Sequence, residues 1–270
     1  MNVIDHNRFN EDFRHEIGNK AANLFILRQN GFNVPNSFAI TTSCLAGCGI
    51  SKNNQCLADT FKRLKPPLVV RSSAVEEDSA SRSFAGIFES VLNVVTLDDY
   101  VAALLKVCRS TNRVAYKSYI SEKRPIKMAI LVQELVPAEH AGVVFTINPV
   151  SGNRSEMVME YFNGLGISVV SGKTTPQHLV IDKKTYSIKK MVKSDGGTGY
   201  FPVQSGGCKE INVNSIAVTY LSDNMLNDII TVSLAIERLF GAPQDIEWAV
   251  ANGKAYILQT RPVTASWGER

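Results

Sequence analysis

The end of the chain constrains the fold most. Residues 245–250 and 255–261 read as two strands around the turn dipeptide Asn252-Gly253. Asp245 and Glu247 on the first strand, and Gln259 and Arg261 on the second, are each spaced by two, so each pair shares one face of its strand. The opposite face is apolar: Ile246, Trp248 and Val250, then Tyr256 and Leu258. A two-residue loop at Asn252-Gly253 would set Glu247 beside Leu258 and mix the faces. A three-residue loop, Ala251-Asn252-Gly253 with Gly253 in a bulge, keeps apolar opposite apolar and brings Glu247, Gln259 and Arg261 together. Because a slip of one residue exchanges the faces of a strand, the bulged turn is expected. Such a hairpin is either an amphipathic ribbon with a solvated polar face or a site for a metal and a phosphate.

A length of 270 residues suffices for one large or two smaller domains with a substantial core. The net charge of +4 is too small to argue for nucleic acid. No apolar run approaches the roughly 20 residues needed to cross a bilayer, so no membrane partner is expected. The opening Met1-Asn2-Val3-Ile4-Asp5-His6 is polar and unlike a signal peptide. Five cysteines, an odd number in a long chain, fit free thiols in a reducing cytoplasm.

Helices and strands are mixed along the chain, with hairpins as well as longer crossovers, which predicts an α+β architecture. Residues 18–31 read as a helix stopped by Gly31, and Ser222 caps a long helix over residues 223–240. Strands are expected at residues 68–70, 129–136, 142–146 and 157–161. A boundary near Lys127 divides the chain into lobes 1–127 and 128–270. Several segments have phosphate chemistry. Gly18-Asn19-Lys20 opens a helix, so Lys20 sits among backbone N–H groups at the positive end of a dipole, or is simply an exposed cation. Arg71 follows an apolar strand, where a guanidinium needs an anionic partner. Ser83-Phe84-Ala85-Gly86 has the small residues of a loop that lets main-chain N–H groups approach a ligand. Glu160, after Val158-Met159, can hold a metal or a ribose. His140 reads as a solvated residue in a turn.

The order of the pieces adds to this. Gly18-Asn19-Lys20-Ala21-Ala22-Asn23-Leu24, Val70-Arg71-Ser72-Ser73-Ala74, Glu77-Asp78 and Ser83-Phe84-Ala85-Gly86 come first. Val132-Gln133-Glu134-Leu135-Val136, Gly142-Val143-Val144-Phe145-Thr146-Ile147-Asn148-Pro149 and Gly164-Leu165-Gly166 follow. Asp245-Ile246-Glu247-Trp248 and Leu258-Gln259-Thr260-Arg261-Pro262 close the series. In this order the chain resembles, over roughly residues 15–264, the nucleotide-binding domain of the phosphoenolpyruvate synthase and pyruvate phosphate dikinase family, which includes rifampicin phosphotransferase.

The resemblance implies an ATP-grasp fold, two lobes clamping ATP. It implies that Lys20 and Arg71 contact the phosphates and that the loop containing Ser83 and Gly86 covers them. The backbone of Gln133, Glu134, Leu135 and Val136 would meet the adenine. Glu247 and Gln259 would bind Mg2+, and Arg261 would neutralise the terminal phosphates. Catalysis would rest on charge neutralisation and in-line positioning. The chain departs from the family where an acidic residue is common, at Ile167 and at Gln177. No histidine here lies in the Thr-Ser-His context of the family's phosphate-carrying, swivelling domain, so a phospho-histidine partner domain or subunit is expected. Three readings follow: an ATP-binding component of a dikinase-like phosphotransferase, a stand-alone ATP-grasp kinase or ligase, and a non-catalytic nucleotide-binding module. The final acceptor is not encoded in these residues.

Overall fold

The computed structural model describes residues 3–47, 50, 55–75, 89–117, 127–214 and 217–264. The chain divides into two compact units, one of Met1–Gly31, Pro35–Leu135 and Val203–Gly207, the other of Phe32–Val34, Val136–Pro202 and Cys208–Arg270.

The first unit contains β1 (Val3–Asp5), α1 (Arg14–Gln29), β2 (Ser37–Ile40), α2 (Thr42–Gly47), α3 (Gln55–Phe61), β3 (Leu68–Ala74), β4 (Ser90–Val94), α4 (Leu97–Lys117) and β5 (Met128–Glu134). Its strands form one antiparallel sheet in the order β1-β2-β5-β3-β4. Alternation along β3 and β5 sends Leu68, Val70, Ile130 and Val132 into a core with Leu57, Tyr100, Leu104 and Val107 of α3 and α4. α1 packs against β3 and β5 as well, through the face that carries Ser73. β5 pairs with β2 on one side and β3 on the other. It is therefore the central strand of this sheet, and the boundary expected at Lys127 falls after it instead, because hydrogen bonding on both edges outweighs its place late in the sequence. Thr96 caps α4, its Oγ1 accepting from the N–H of Asp99 at 3.1 Å.

The second unit contains β6 (His140–Phe145), β7 (Glu156–Asn163), α5 (Ile167–Val170), β8 (Thr174–Thr175), β9 (Gln177–Asp182), β10 (Ile188–Val192), β11 (Gly196–Pro202), β12 (Cys208–Asn214), α6 (Asp223–Phe240), β13 (Gln244–Ala251) and β14 (Lys254–Pro262). A six-stranded antiparallel sheet runs β10-β9-β7-β6-β13-β14, and a smaller one runs β12-β11-β8. Antiparallel sheets with helices packed on their faces make the architecture α+β, as expected. Ser222 caps α6, its Oγ accepting from the N–H of Met225 at 3.3 Å. The last turn of α6 is tied down by Lys183, whose Nζ donates to both Glu237 oxygens at 2.9 and 2.6 Å and to the Thr146 carbonyl at 2.8 Å. No helix among the described residues is long and apolar enough to cross a membrane.

Two expectations change here. The final hairpin turns on two residues, not three: Ala251 pairs with Lys254, and Asn252 and Gly253 both take positive φ, 51° and 67°. That is the turn whose twist matches the flanking strands. The extra residue appears further along. Trp248 pairs with Ile257 but Glu247 pairs with Gln259, so Leu258 is a bulge. Ile257, 2% exposed, therefore lies opposite Trp248. His140 is not a solvated turn residue. It opens β6 and is 8% exposed, with Nε2 2.8 Å from the Thr219 hydroxyl and its ring edge-on to Tyr161. Burial pulls its pKa below the ordinary 6.5.

Candidate functional site

In the second unit, the polar residues named from sequence fall into two adjacent cross-strand rows. Directly opposed residues of antiparallel strands share a face. Gln259 on β14 lies opposite Glu247 on β13, Glu247 opposite Val143 on β6, Val143 opposite Glu160 on β7, and Glu160 opposite His178 on β9. The next row along carries Arg261, Asp245, Phe145, Val158 and Val180. The bulge at Leu258 brings Gln259 and Arg261 onto the same face as Glu247 and Asp245. Without it the two-residue turn would send them to the opposite face.

Each member is held. Arg261 donates from Nε and Nη2 to Asp245 Oδ2 at 2.8 and 2.7 Å, and Asp245 is only 8% exposed. Asp245 thus fixes the guanidinium, a part the sequence did not assign to it. The only signal available was its place two residues before Glu247. Glu160 sits mid-strand, and His178 Nδ1 lies 2.9 Å from its Oε1. Sequence reasoning missed this contact because it joins strands separated by a register no local pattern reveals.

Glu247 and Gln259, on adjacent strands, bring a carboxylate and an amide together, with Cβ atoms about 5 Å apart. Both present oxygens, the donors that Mg2+ prefers. Among the described residues no group of three or more His, Cys, Asp or Glu gathers around one point. A metal held here would complete its shell with phosphate oxygens and water, the usual mode for Mg2+. The donor set fits the ion.

The first unit carries two further cations, Lys20 and Arg71. α1 breaks at Gly18, whose φ of 77° and ψ of 165° are not helical and belong to glycine alone. A Cβ there would lie 2.4 Å from the Ser73 carbonyl oxygen. Helix restarts at Asn19, which places Lys20 in a fresh first turn, 6% exposed. Two clasps hold the break. Ser73 Oγ donates to the Ile17 carbonyl at 2.6 Å and accepts from the N–H of Ala21 at 3.2 Å. Arg14 Nη1 donates to Asn19 Oδ1 and Asn23 Oδ1, both at 3.1 Å, while its other nitrogens bind Glu11. Arg71 lies within β3, two residues before Ser73 and on the same face. Lys20 and Arg71 therefore both belong to the α1 side of the sheet.

On the expected adenine-facing segment, the N–H of Glu134 already donates to Asn36 and that of Leu135 to Pro67. Glu134's carboxylate accepts from Asn36 Nδ2 and from the N–H of Lys65. Gln133 is 2% exposed, and its Nε2 has no partner among the described residues. The carbonyl of Val136 accepts from Ala138. Ser83 and Gly86, with Glu77 and Asp78, lie outside the described residues. Of the two departures, Ile167 is 37% exposed at the start of α5, and Gln177 is 1% exposed, one residue before His178 and so on the other face of β9. Two surface cavities, of about 330 and 420 Å3, are lined by Glu89, Lys106 and Arg109 and by Glu11, Arg14 and Asn19. Neither takes in Glu247 or Gln259.

Residues 47–269 match the family described as pyruvate phosphate dikinase, AMP/ATP-binding domain. A probable phosphoenolpyruvate synthase of Methanocaldococcus jannaschii is 36% identical over 73% of this chain and 17% of its own length. A rifampicin phosphotransferase of a Streptomyces species is 32% identical over 72% of this chain and 23% of its own. The chain thus spans less than a quarter of each. Among solved structures, the dinucleotide-forming acetyl-coenzyme A synthetase 1 of Ca. Korarchaeum cryptofilum is similar with a TM-score of 0.47 and 10% identity, over 89% of this chain and 90% of that one.

Proposed function

The chain belongs to the pyruvate phosphate dikinase AMP/ATP-binding domain family, and from that premise we propose that it is an ATP-grasp component that binds Mg-ATP and passes a phosphoryl or pyrophosphoryl group to a histidine on a partner domain or subunit. The observation that carries this reading is the polar face of the second unit: Glu247 opposite Gln259, with Arg261 clasped by Asp245 in the adjacent row.

Two polar sets take part. Lys20 and Arg71 neutralise phosphate charge, Lys20 aided by the N–H groups of the helix turn that Gly18 opens. Glu247 and Gln259 would hold Mg2+, which lowers the charge on the phosphate oxygens it touches. Arg261, fixed in direction by Asp245, meets charge that builds on the group in transit. Glu160 accepts from the ribose, and the Val136 segment faces the base. No side chain of the set is asked to act as a nucleophile. The chain binds, orients and neutralises, and the incoming imidazole of the partner attacks phosphorus in line as the bond to the bridging oxygen breaks, ADP leaving in phosphoryl transfer and AMP in pyrophosphoryl transfer.

The test is incubation with Mg-ATP labelled in the γ and β positions, with and without a histidine-bearing partner of the family. Label reaching the partner's histidine, with AMP and phosphate formed, supports the reading. Rapid ADP formation with a small substrate alone would replace it with a direct kinase, and no stabilisation by Mg-ATP in a thermal titration would remove both.

A further inference from the structure

We propose that His178 is a positioning residue for the sugar end of the nucleotide site, holding Glu160 where it accepts from the ribose hydroxyls. This rests on the reading of the cross-strand row as the nucleotide's binding face. Glu160 occupies that row with two neighbours: toward one side Val143 and then Glu247, toward the other His178. Its carboxylate turns to the second, with Oε1 2.9 Å from His178 Nδ1. An ionised carboxylate only accepts, so the imidazole donates from Nδ1.

This contact divides the row. Glu160 and Glu247 stand two strand spacings apart, about 10 Å. Oxygens that share one Mg2+ must each come within about 2.1 Å of it. Leaning toward β9 carries the Glu160 carboxylate away from Glu247 and from any ion that Glu247 and Gln259 hold. What remains for it is a ligand group that donates hydrogen bonds, and in a nucleotide laid along the row with its phosphates at Glu247 the sugar hydroxyls are such donors. An acidic side chain is suited to a ribose 2′-hydroxyl, since each oxygen keeps lone pairs to accept with. With one Glu160 oxygen engaged by His178, its orientation is set before the ligand arrives. Both side chains are about one-third exposed, 31% for His178 and 34% for Glu160, so a ligand can reach them.

The test measures dissociation constants for Mg-ATP and Mg-2′-deoxy-ATP by calorimetry, using the full chain and its His178→Ala and His178→Asn variants, with melting temperatures as a check on folding. The unsubstituted chain should prefer ATP by about tenfold, the worth of a hydrogen bond to a charged group. His178→Ala should bring that ratio to within about threefold of unity, while 2′-deoxy-ATP binds as before. His178→Asn, whose amide N–H stands near the place of Nδ1, should recover most of the preference. A ratio unchanged in His178→Ala overturns the proposal, as does an equal loss of affinity for both nucleotides. If the unsubstituted chain binds both equally well, only the sugar assignment falls. If it binds neither, the nucleotide reading falls with it.

Discussion

The two units fix their charged groups by opposite means. In the first, Lys20 is 6% exposed and set by a backbone break, with Gly18 pressed on Ser73 and Arg14 spanning the gap. In the second, Glu160, Glu247 and His178 stand half-exposed on a sheet, and strand register sets their spacing. A buried cation depends on every atom of the fold around it, whereas a ladder depends on register and tolerates changes that leave register alone. The first unit should therefore answer substitution with loss of stability, and the second with loss of chemistry.

The sharpest contrast is Glu247→Ala. It should cut Mg-dependent ATP cleavage in the reconstituted system by at least about a hundredfold, because the metal's contribution grows with charge in the transition state. Its urea midpoint should hardly move. Cleavage at the rate of the unsubstituted chain would end the metal assignment. Gly18→Ala should do the reverse, costing about 3 kcal/mol in urea unfolding through a forced positive φ and a 2.4 Å clash. A loss under about 1 kcal/mol would show that the break relaxes freely. Asp245→Asn tests whether the second unit has a buried element of its own. Removing the anion that faces Arg261 should cost about 2 kcal/mol and lower cleavage about tenfold, and a stability loss with unaltered kinetics would reduce the clasp to a structural role. Ser222→Ala, remote from both sets in sequence, should cost about 1 kcal/mol and leave nucleotide affinity alone. The smallest effect concerns pH. His140 is held neutral by burial, with its pKa lowered in the folded state. The unfolded chain therefore binds the proton more readily, and stability should decline as pH falls below about 6.5. A pH series of melts should show that slope, and His140→Gln should flatten it.

Much of this was legible in the residues. Ser222 and the long apolar stripe behind it specify α6 locally, and the alternation of Asp245, Ile246, Glu247 and Trp248 specifies the two faces of β13. Lys20 at a helix start follows from Gly18 alone. What sequence could not supply was register between distant strands. Asn252-Gly253 favours a two-residue turn, yet the apolar pattern demanded an odd offset, and both hold because the offset sits at Leu258 rather than at the turn. His178 beside Glu160 is hidden for the same kind of reason, since 17 residues and a second small sheet's first strand, Thr174–Thr175, intervene. His140 was misjudged because a histidine after Pro137-Ala138-Glu139 looks solvated until Thr219, far along the chain, is seen to close over it. β5 was assigned to the wrong unit because pairing on both edges is a property of the sheet, not of the segment.

Leu258 has a consequence for how this hairpin can change over generations. The single extra residue acts as a frame correction: upstream of it the two strands count in one phase, downstream in another. Turn length and site geometry are thereby uncoupled, each free to vary while the other is kept. A lineage that loses the residue at 258 keeps Glu247 opposite Gln259 in an unbroken ladder, because Trp248 with Ile257 and Glu247 with Gln259 are already successive pairs. The same chemical face can thus be reached with or without the extra residue, so relatives aligned by their turns would show their metal-side residues out of step by one.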